Sequence, residues 1–333
     1  MIHTTQIDTI GLQIDFTSSI EQHEIFSLIN KHLKEDKIFI EINNFKTIIY
    51  SSQTKIGTIK MGMCRMKNSL DNNLINNHYI TIRFAGLKRY NTKIDTLSRD
   101  ILISICALLN TYKIKFRLIE LDIAIDVNSK LDNVLVLCTK KSPKTEYYDL
   151  NQKQFYADTI YLENMKKEKF KKTVLRAYYY NKRLKERKSK NELGFDLTRF
   201  EVKLQTQYFK KYGFDVNVIK KALDRYHVMH FQNLSEKKEV IDKYLSYKCV
   251  RKREIERMNL GNYRLIPNMN VVKDFLDEIQ RVNIVYIPIS NIISGCNILI
   301  FAYADHIRTA SRLTSGHSAE VDSYTLPIYI RTI

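Results

Sequence analysis

Residues 120–126 read ELDIAID, residues 176–182 read RAYYYNK, and residues 198–203 read TRFEVK. Polar and apolar side chains alternate along these stretches, which is the pattern of a β-strand with one buried face. Residues two apart share a strand face, so each polar set lies together. The polar sets are Asp122 and Asp126; Arg176, Tyr178, Tyr180 and Lys182; and Arg199, Glu201 and Lys203. The three stretches predict a sheet with one polar face.

Strand patterns dominate the chain before about residue 210, and helix patterns dominate after it. Strands are expected at 8–16, 37–41, 46–50, 56–63, 79–85, 115–127, 133–138, 158–162, 173–181 and 197–205. Helices are expected at 20–34 and 96–112, and then at 217–231, 235–247, 250–258 and 268–281. Residues 284–304 are apolar and β-branched, and periodicity alone fits a strand or a buried helix.

Runs of strands with few helices between them favour an α+β fold. We expect a mainly antiparallel sheet with helices packed on one face, followed by a helical C-terminal region. The change in pattern predicts two domains, an α+β domain at 1–212 and a mainly helical accessory region at 213–333. No Pro- or Gly-rich linker marks that boundary.

The net charge of +18 and the pI near 9.5 indicate a polyanionic partner, of which nucleic acid is the most common. A generally Lys-rich composition without such a partner is the alternative. The five cysteines are dispersed and lack zinc-site spacing, which is typical of free thiols in a reducing compartment. The N-terminus lacks a signal-peptide pattern, and no stretch is apolar enough to span a membrane. We therefore expect a cytoplasmic location and no membrane partner.

The carboxylates suggest a metal site. Asp122 and Asp126 interrupt an otherwise apolar strand, and Glu120 shares their face. Charge is costly on a buried strand unless it is paired or bound to metal. Glu201 could complete a set of hard oxygen ligands for Mg²⁺ or Mn²⁺. A solvated polar face, or a cross-strand ion pair between Arg199 and Glu201, is the alternative.

The tyrosines lie in a basic tract. Residues 166–190 contain twelve Lys or Arg and two Glu. A tyrosine hydroxyl can attack a phosphodiester if nearby cations offset the developing charge. Arg176 and Lys182 share the face of Tyr178 and Tyr180, and Arg199 could bind a phosphate through two hydrogen bonds. A solvated basic face with structural tyrosines is the alternative.

In order along the chain, the motifs are Asp122-Ile-Ala-Ile-Asp126, Tyr178-Tyr-Tyr-Asn-Lys182 and Arg199-Phe-Glu201. Together they resemble the replication initiation factors of rolling-circle plasmids and filamentous phages, and the related relaxases of conjugative elements. The resemblance covers roughly residues 78–212. It implies that a tyrosine nicks one DNA strand at an origin, keeps the 5′ phosphate and leaves a free 3′-OH.

The resemblance assigns a role to each polar residue. Tyr180 matches the nucleophile, and Tyr178 on the same face is the alternative. Asp122, Asp126 and Glu201 would hold Mg²⁺ or Mn²⁺. The phosphate-binding set is Arg176, Lys182, Arg183, Arg199 and Lys203. Residues 1–212 would be the nicking domain and 213–333 the DNA-binding region. The implied partners are supercoiled or single-stranded origin DNA, a host helicase and polymerase, and a second copy in a homodimer.

Three alternatives remain beside this interpretation. A non-catalytic DNA-binding regulator of a phage or plasmid would explain the charge alone. His227 and His230 resemble the paired histidines of another rolling-circle nuclease class, but we expect residues 226–231 to be helical and the histidines not to be ligands. The tail, with His306, Arg308, His317 and Tyr324, resembles the catalytic end of tyrosine recombinases, although Arg308 follows His306 by only two positions.

Overall fold

The structure is a computed structural model, and it describes residues 3–67, 74–138, 159–162, 175–188, 193–213, 215–246, 257–258, 260–280, 298–300 and 330–332. The helices are α1 (Ser19–Glu35), α2 (Thr92–Thr111), α3 (Lys182–Lys188), α4 (Thr206–Tyr212), α5 (Val216–Leu223), α6 (Leu234–Ser246) and α7 (Met269–Gln280). The strands of the main sheet are β1 (His3–Phe16), β2 (Phe39–Asn43), β3 (Lys46–Ser51), β4 (Thr54–Lys67), β5 (Leu74–Ala85), β6 (Arg117–Val127), β8 (Thr159–Tyr161), β9 (Leu175–Asn181) and β10 (Thr198–Gln205). Two small ladders join β7 (Val134–Cys138) with β11 (Tyr226–His230), and β12 (Ile298–Ile300) with β13 (Ile330–Thr332).

The main sheet has the strand order β2-β3-β4-β5-β1-β6-β10-β9-β8 in the described part of the chain. Every neighbouring pair in it is antiparallel. The sheet and the helices confirm the α+β prediction, and the stretches 120–126, 198–203 and 176–181 lie side by side in β6, β10 and β9.

One face of the sheet is the apolar core. Leu121, Ile123 and Ile125 of β6 are buried there, as are Phe200 and Val202 of β10. The helices α1, α2 and α7 contact this sheet through their own apolar stripes. In α2 the stripe is Ile101, Leu102, Ile105, Cys106 and Leu109. Burial of the apolar set fixes the register of each strand, because a one-residue slip would turn charged side chains into the core.

The region after residue 212 is less helical than its sequence pattern predicts. The helix expected at 217–231 ends at Leu223, and residues 226–230 form β11, so the helical assignment of that segment is wrong. Pairing with β7 decides the conformation, because Val228 lies opposite Val136 and completes a buried ladder. Most of the helix expected at 250–258 lies outside the described residues, as does the stretch 284–304 apart from β12.

Residues beyond 212 share the core of the sheet. Ile219 of α5 and Val272 and Leu276 of α7 belong to the same buried cluster as Ile10 and Leu121. The domain boundary at 212/213 stays a prediction. None of the helices in the described ranges is both long and apolar enough to cross a bilayer.

Candidate active site

The polar face of the sheet carries its charged side chains in rows that run across β6, β10 and β9. Asp126 lies opposite Arg199, which lies opposite Tyr180. One step along, Glu201 lies opposite Tyr178. In the next row Lys203 lies between Asp122 and Arg176. The predicted site residues on these three strands therefore share one surface.

Arg199 is the centre of this surface and is 0% exposed. Its Nε donates to Asp126 Oδ1 at 2.6 Å and its Nη2 to Asp126 Oδ2 at 2.7 Å, which is a two-bond carboxylate pair. Its Nη1 donates to Asp8, and Nη2 also donates to the Lys88 carbonyl at 3.0 Å. The guanidinium thus neutralises two buried carboxylates, and they in turn hold its pKa well above the usual value despite burial.

Asp8 reaches Arg199 because β1 bulges at this point. The register against β6 shifts between Ile7 and Thr9, so Asp8 is the extra residue, and a bulge re-aims the side chains beside it. Burial would raise the pKa of Asp8, but Arg199 and nearby lysines lower it overall. Sequence reasoning missed Asp8. A signal is present in the sequence, because the apolar positions along β1 change from an odd number (Ile7) to even numbers (Ile10, Leu12, Ile14) across Asp8.

Glu201 accepts hydrogen bonds from both candidate tyrosines. The Tyr180 hydroxyl donates to Oε1 at 2.6 Å, and the Tyr178 hydroxyl donates to Oε2. The two rings stack with centroids 6.0 Å apart. Burial and the neighbouring Glu201 carboxylate raise the pKa of both hydroxyls well above the usual value. Each tyrosine is therefore a neutral donor at neutral pH, with its proton already directed at a carboxylate.

Lys185 approaches Tyr180 from α3. Its Nζ donates to the Tyr180 hydroxyl oxygen at 3.1 Å and lies 4.4 Å from the centre of the ring. The chain turns from β9 into α3 at Asn181, whose Oδ1 accepts from the Leu184 backbone N–H at 3.0 Å. This turn brings a cation within reach of Tyr180, and sequence reasoning had not singled out Lys185. Tyr180 is 2% exposed, whereas Tyr178 is partly exposed.

Lys203 bridges the remaining carboxylates. Its Nζ lies 2.6 Å from Asp122 Oδ2 and 3.1 Å from Glu120 Oε1. Glu120 also accepts from Arg83 Nε at 2.6 Å, across β1 at Gly11. A Cβ at Gly11 would come within 3.0 Å of the Glu120 Cβ, so the glycine lets the side chains of β5 and β6 meet. Asp122 Oδ1 is buried without a hydrogen-bond partner in the described structure.

The three predicted metal ligands do not fit a shared metal site in this arrangement. Both oxygens of Asp126 accept from Arg199, both oxygens of Glu201 accept from tyrosines, and Asp122 is paired with Lys203. Across the described ranges, no three Asp, Glu, His or Cys side chains form a group that could hold a metal ion. Binding of Mg²⁺ or Mn²⁺ stays a prediction.

The predicted phosphate-binding residues divide by exposure. Arg199 and Lys182 are buried, and Lys182 Nζ pairs with Glu186 at 2.5 Å. Burial, followed by repulsion from Arg199, lowers the pKa of Lys182. Arg183 is half-exposed and pairs with Asp196 at 3.0 Å. Arg176 is partly exposed on β9. Contact of these residues with phosphate stays a prediction.

The competing His227 and His230 lie on β11, which pairs with β7 in a ladder separate from the main sheet. On β11 His227 and His230 are three residues apart and so face opposite sides of the strand, and the His230 ring nitrogen contacts the Ser129 hydroxyl at 3.1 Å. His306, Arg308, His317 and Tyr324 lie outside the described residues.

Comparison with known proteins gives a distant likeness of fold. No family model matches the chain, and no curated protein matches it. One similar solved structure is titled "Structure of Rolling Circle Replication Initiator Protein from Geobacillus stearothermophilus". The likeness has a TM-score of 0.34 and 11% identity, and covers 85% of this chain and 99% of that chain. At those values it carries no conclusion about function.

Replacing Arg199 with Met is expected to destabilise the fold by about 3–5 kcal/mol, because Asp126 and Asp8 would stay buried without their cation. The control is Arg183→Met, which breaks a half-exposed pair and should cost less than about 1 kcal/mol. Urea unfolding of both variants measures the difference. Equal losses for the two variants would contradict the central place of Arg199.

Asp122 should make stability depend on pH. Burial, opposed by Lys203, raises its pKa from 3.8 to about 7, so the folded chain holds this proton more tightly than the unfolded chain. Stability from this group therefore falls as pH rises from about 4 to about 7. Asp122→Asn removes the titration. Urea unfolding at pH 5 and pH 8 should show the Asn variant gaining about 2–4 kcal/mol relative to the original chain. A pH-independent difference would refute the shift.

Proposed function

We propose that the chain nicks and rejoins one strand of DNA through a 5′-phosphotyrosine, as an initiator of rolling-circle replication. The observation that carries the proposal is the pair of tyrosine hydroxyls bonded to one buried carboxylate, Glu201, within a cluster of cations. The motif order along the chain supports the same activity, as does the net charge of +18. Origin DNA is the proposed substrate.

In the proposed reaction, Tyr180 Oη attacks phosphorus while its proton passes to Glu201 Oε1, 2.6 Å away. The bond from phosphorus to the 3′-oxygen breaks as the bond to Oη forms. The leaving oxygen takes a proton from solvent water, and the Lys185 ammonium, 3.1 Å from Oη, offsets the negative charge that develops there. The products are a 5′-phosphotyrosine and a free 3′-OH, and the same steps in reverse close the strand.

Positive charge around the tyrosines supports phosphoryl transfer, because the transition state places negative charge on the phosphate oxygens. Arg199 and Lys185 lie next to Tyr180, and Lys203 is one row beyond Tyr178. Arg199 is engaged with Asp126 and Asp8, so its proposed role is to hold the sheet surface and to place a positive charge beside Glu201, 3.9 Å from its Nη1. Lys185 and the partly exposed Arg176 are proposed to meet the phosphate.

Tyr180→Phe is expected to abolish the covalent adduct with DNA, because the attacking oxygen is gone. Tyr178→Phe is the matched control, since it removes the other hydroxyl bonded to Glu201 and should leave the adduct in place. The measurement is incubation with supercoiled plasmid carrying the cognate origin, followed by denaturing gels for nicked DNA and for protein linked to DNA. An adduct that forms with Tyr180→Phe and disappears with Tyr178→Phe would assign the reaction to Tyr178. DNA binding without an adduct from the unaltered chain would favour the non-catalytic regulator.

A requirement for Mg²⁺ or Mn²⁺ is proposed from the sequence resemblance and is tested separately. Nicking by the unaltered chain should stop in EDTA and return when either ion is added in excess. Such an ion would have to displace the donors that Asp122, Asp126 and Glu201 have in this structure. The same chain purified without chelator serves as the control. Undiminished nicking in EDTA would show that the cations of the chain itself are sufficient.

A further inference from the structure

The loop between β5 and α2, residues 86–91, is firmly held beside the candidate active site. Arg89 donates through its guanidinium to the carbonyls of Gly86, Ala85 and Lys55, each at 3.0 Å. The Arg89 backbone N–H donates to Asp95 at 2.7 Å. Gly86 has a positive φ of 69°, which suits a glycine. These bonds fix the path of the loop.

Tyr90 adopts a left-handed backbone conformation at the end of this loop. Its φ is 58°, which is unfavourable for a residue with a large side chain and occurs mainly where the surroundings impose it. The surroundings here are the charged cluster, because the Tyr90 hydroxyl donates to Asp126 and the Lys88 carbonyl accepts from Arg199. The loop is therefore tied to the residues that organise the active site.

The strained residue presents an aromatic surface. The Tyr90 ring meets the Phe195 ring edge to face, with centroids 5.7 Å apart and planes 78° apart. Phe195 is 39% exposed, and Lys88 Nζ lies 5.2 Å from the centre of the Tyr90 ring. Two aromatic rings with a lysine beside them match the pattern by which proteins bind unpaired bases and their phosphates.

The aromatic pair lies close to the reacting tyrosine. Tyr90 bonds to Asp126 on β6, and Tyr180 lies on β9, two strand spacings away, which is about 10 Å. That distance matches about three stacked nucleotides at ~3.4 Å each. A base about three nucleotides from the scissile phosphate could therefore rest on the rings while the phosphate meets Tyr180.

We propose that Tyr90 and Phe195 form a stacking ledge for an unpaired base of the DNA strand that the site cleaves, with Lys88 facing a neighbouring phosphate. The proposal rests on the proposed function for the identity of the strand. The occupant is a single-stranded nucleic acid, because its base can stack on the rings while a phosphate of the same strand contacts Lys88. Lys88 Nζ also pairs with Asp95 at 3.3 Å, and its side chain is 39% exposed, so a phosphate would meet a lysine that is still open to solvent.

The test is binding of a fluorescein-labelled twelve-nucleotide oligothymidylate to the full chain, compared with a twelve-unit strand that has the same phosphates and no bases. Phe195→Ala is expected to weaken oligothymidylate binding about five- to fiftyfold, in line with the loss of one stacked base. It should leave binding of the abasic strand unchanged within about twofold, because the phosphate contacts remain. Phe195→Tyr keeps the aromatic ring and should bind oligothymidylate as tightly as the original chain.

Phe39→Ala is the matched control, because Phe39 is 66% exposed on the edge strand β2, five strands from β6 in the sheet order. It should bind both strands like the original chain. Three results would overturn the ledge: unchanged oligothymidylate binding by Phe195→Ala, an equal loss on the abasic strand, or no rescue by tyrosine. Absence of oligothymidylate binding by the original chain would overturn it as well.

This binding measurement needs no cleavage, so the ledge and the nicking activity can fail separately. If Phe195→Ala weakens oligothymidylate binding but the original chain forms no covalent adduct with DNA, the ledge is supported and the proposed nicking reaction is contradicted. If the original chain forms the adduct but Phe195→Ala binds oligothymidylate normally, only the ledge is contradicted.

Discussion

A buried guanidinium holds the polar face of this sheet together. Arg199 has no exposure to solvent, yet it binds Asp126 through two hydrogen bonds and Asp8 through a third. Such a cluster is costly to desolvate and stays folded only when every charge has a partner of good geometry. The bulge in β1, the Lys88 carbonyl and the loop that carries Tyr90 all supply partners. Much of the local backbone is therefore shaped by the need to satisfy one arginine.

The same arrangement uses most of the carboxylates in ion pairs and leaves one of them to accept a proton. Arg199 pairs with Asp126 and Asp8, and Lys203 pairs with Asp122 and Glu120. Glu201 instead accepts hydrogen bonds from the tyrosine hydroxyls. A carboxylate kept for tyrosine protons, with cations on either side, is a suitable base for attack on a phosphodiester. The same pairing gives Asp122, Asp126 and Glu201 donors from the chain itself, so a metal ion would have to displace those donors to bind there.

The alternation of polar and apolar residues predicts most of this from sequence, because a period of two decides which side chains share a face. It grouped Asp122 with Asp126, Tyr178 with Tyr180, and Arg199 with Glu201, each on one face of its own strand, and it predicted the α+β sheet. It could not reveal which charges pair, since cross-strand partners depend on strand order and register. Asp8 depended on a bulge, Lys185 on the turn after Asn181, and Tyr90 on a left-handed loop residue. The strand at Tyr226–His230 was mistaken for a helix because its partner β7 is 88 positions earlier, and tertiary pairing outweighed local periodicity.

The identity of the linked residue tests the account most directly. Origin DNA carrying an isotope-labelled 5′ phosphate at the nick can be incubated with the unaltered chain, digested with nuclease and protease, and mapped by mass spectrometry. The account predicts a phosphate on Tyr180 in the peptide that contains Tyr178-Tyr-Tyr-Asn-Lys182. A phosphate on any residue outside the pair bonded to Glu201, or release of a free 5′ phosphate with no protein adduct, would contradict it.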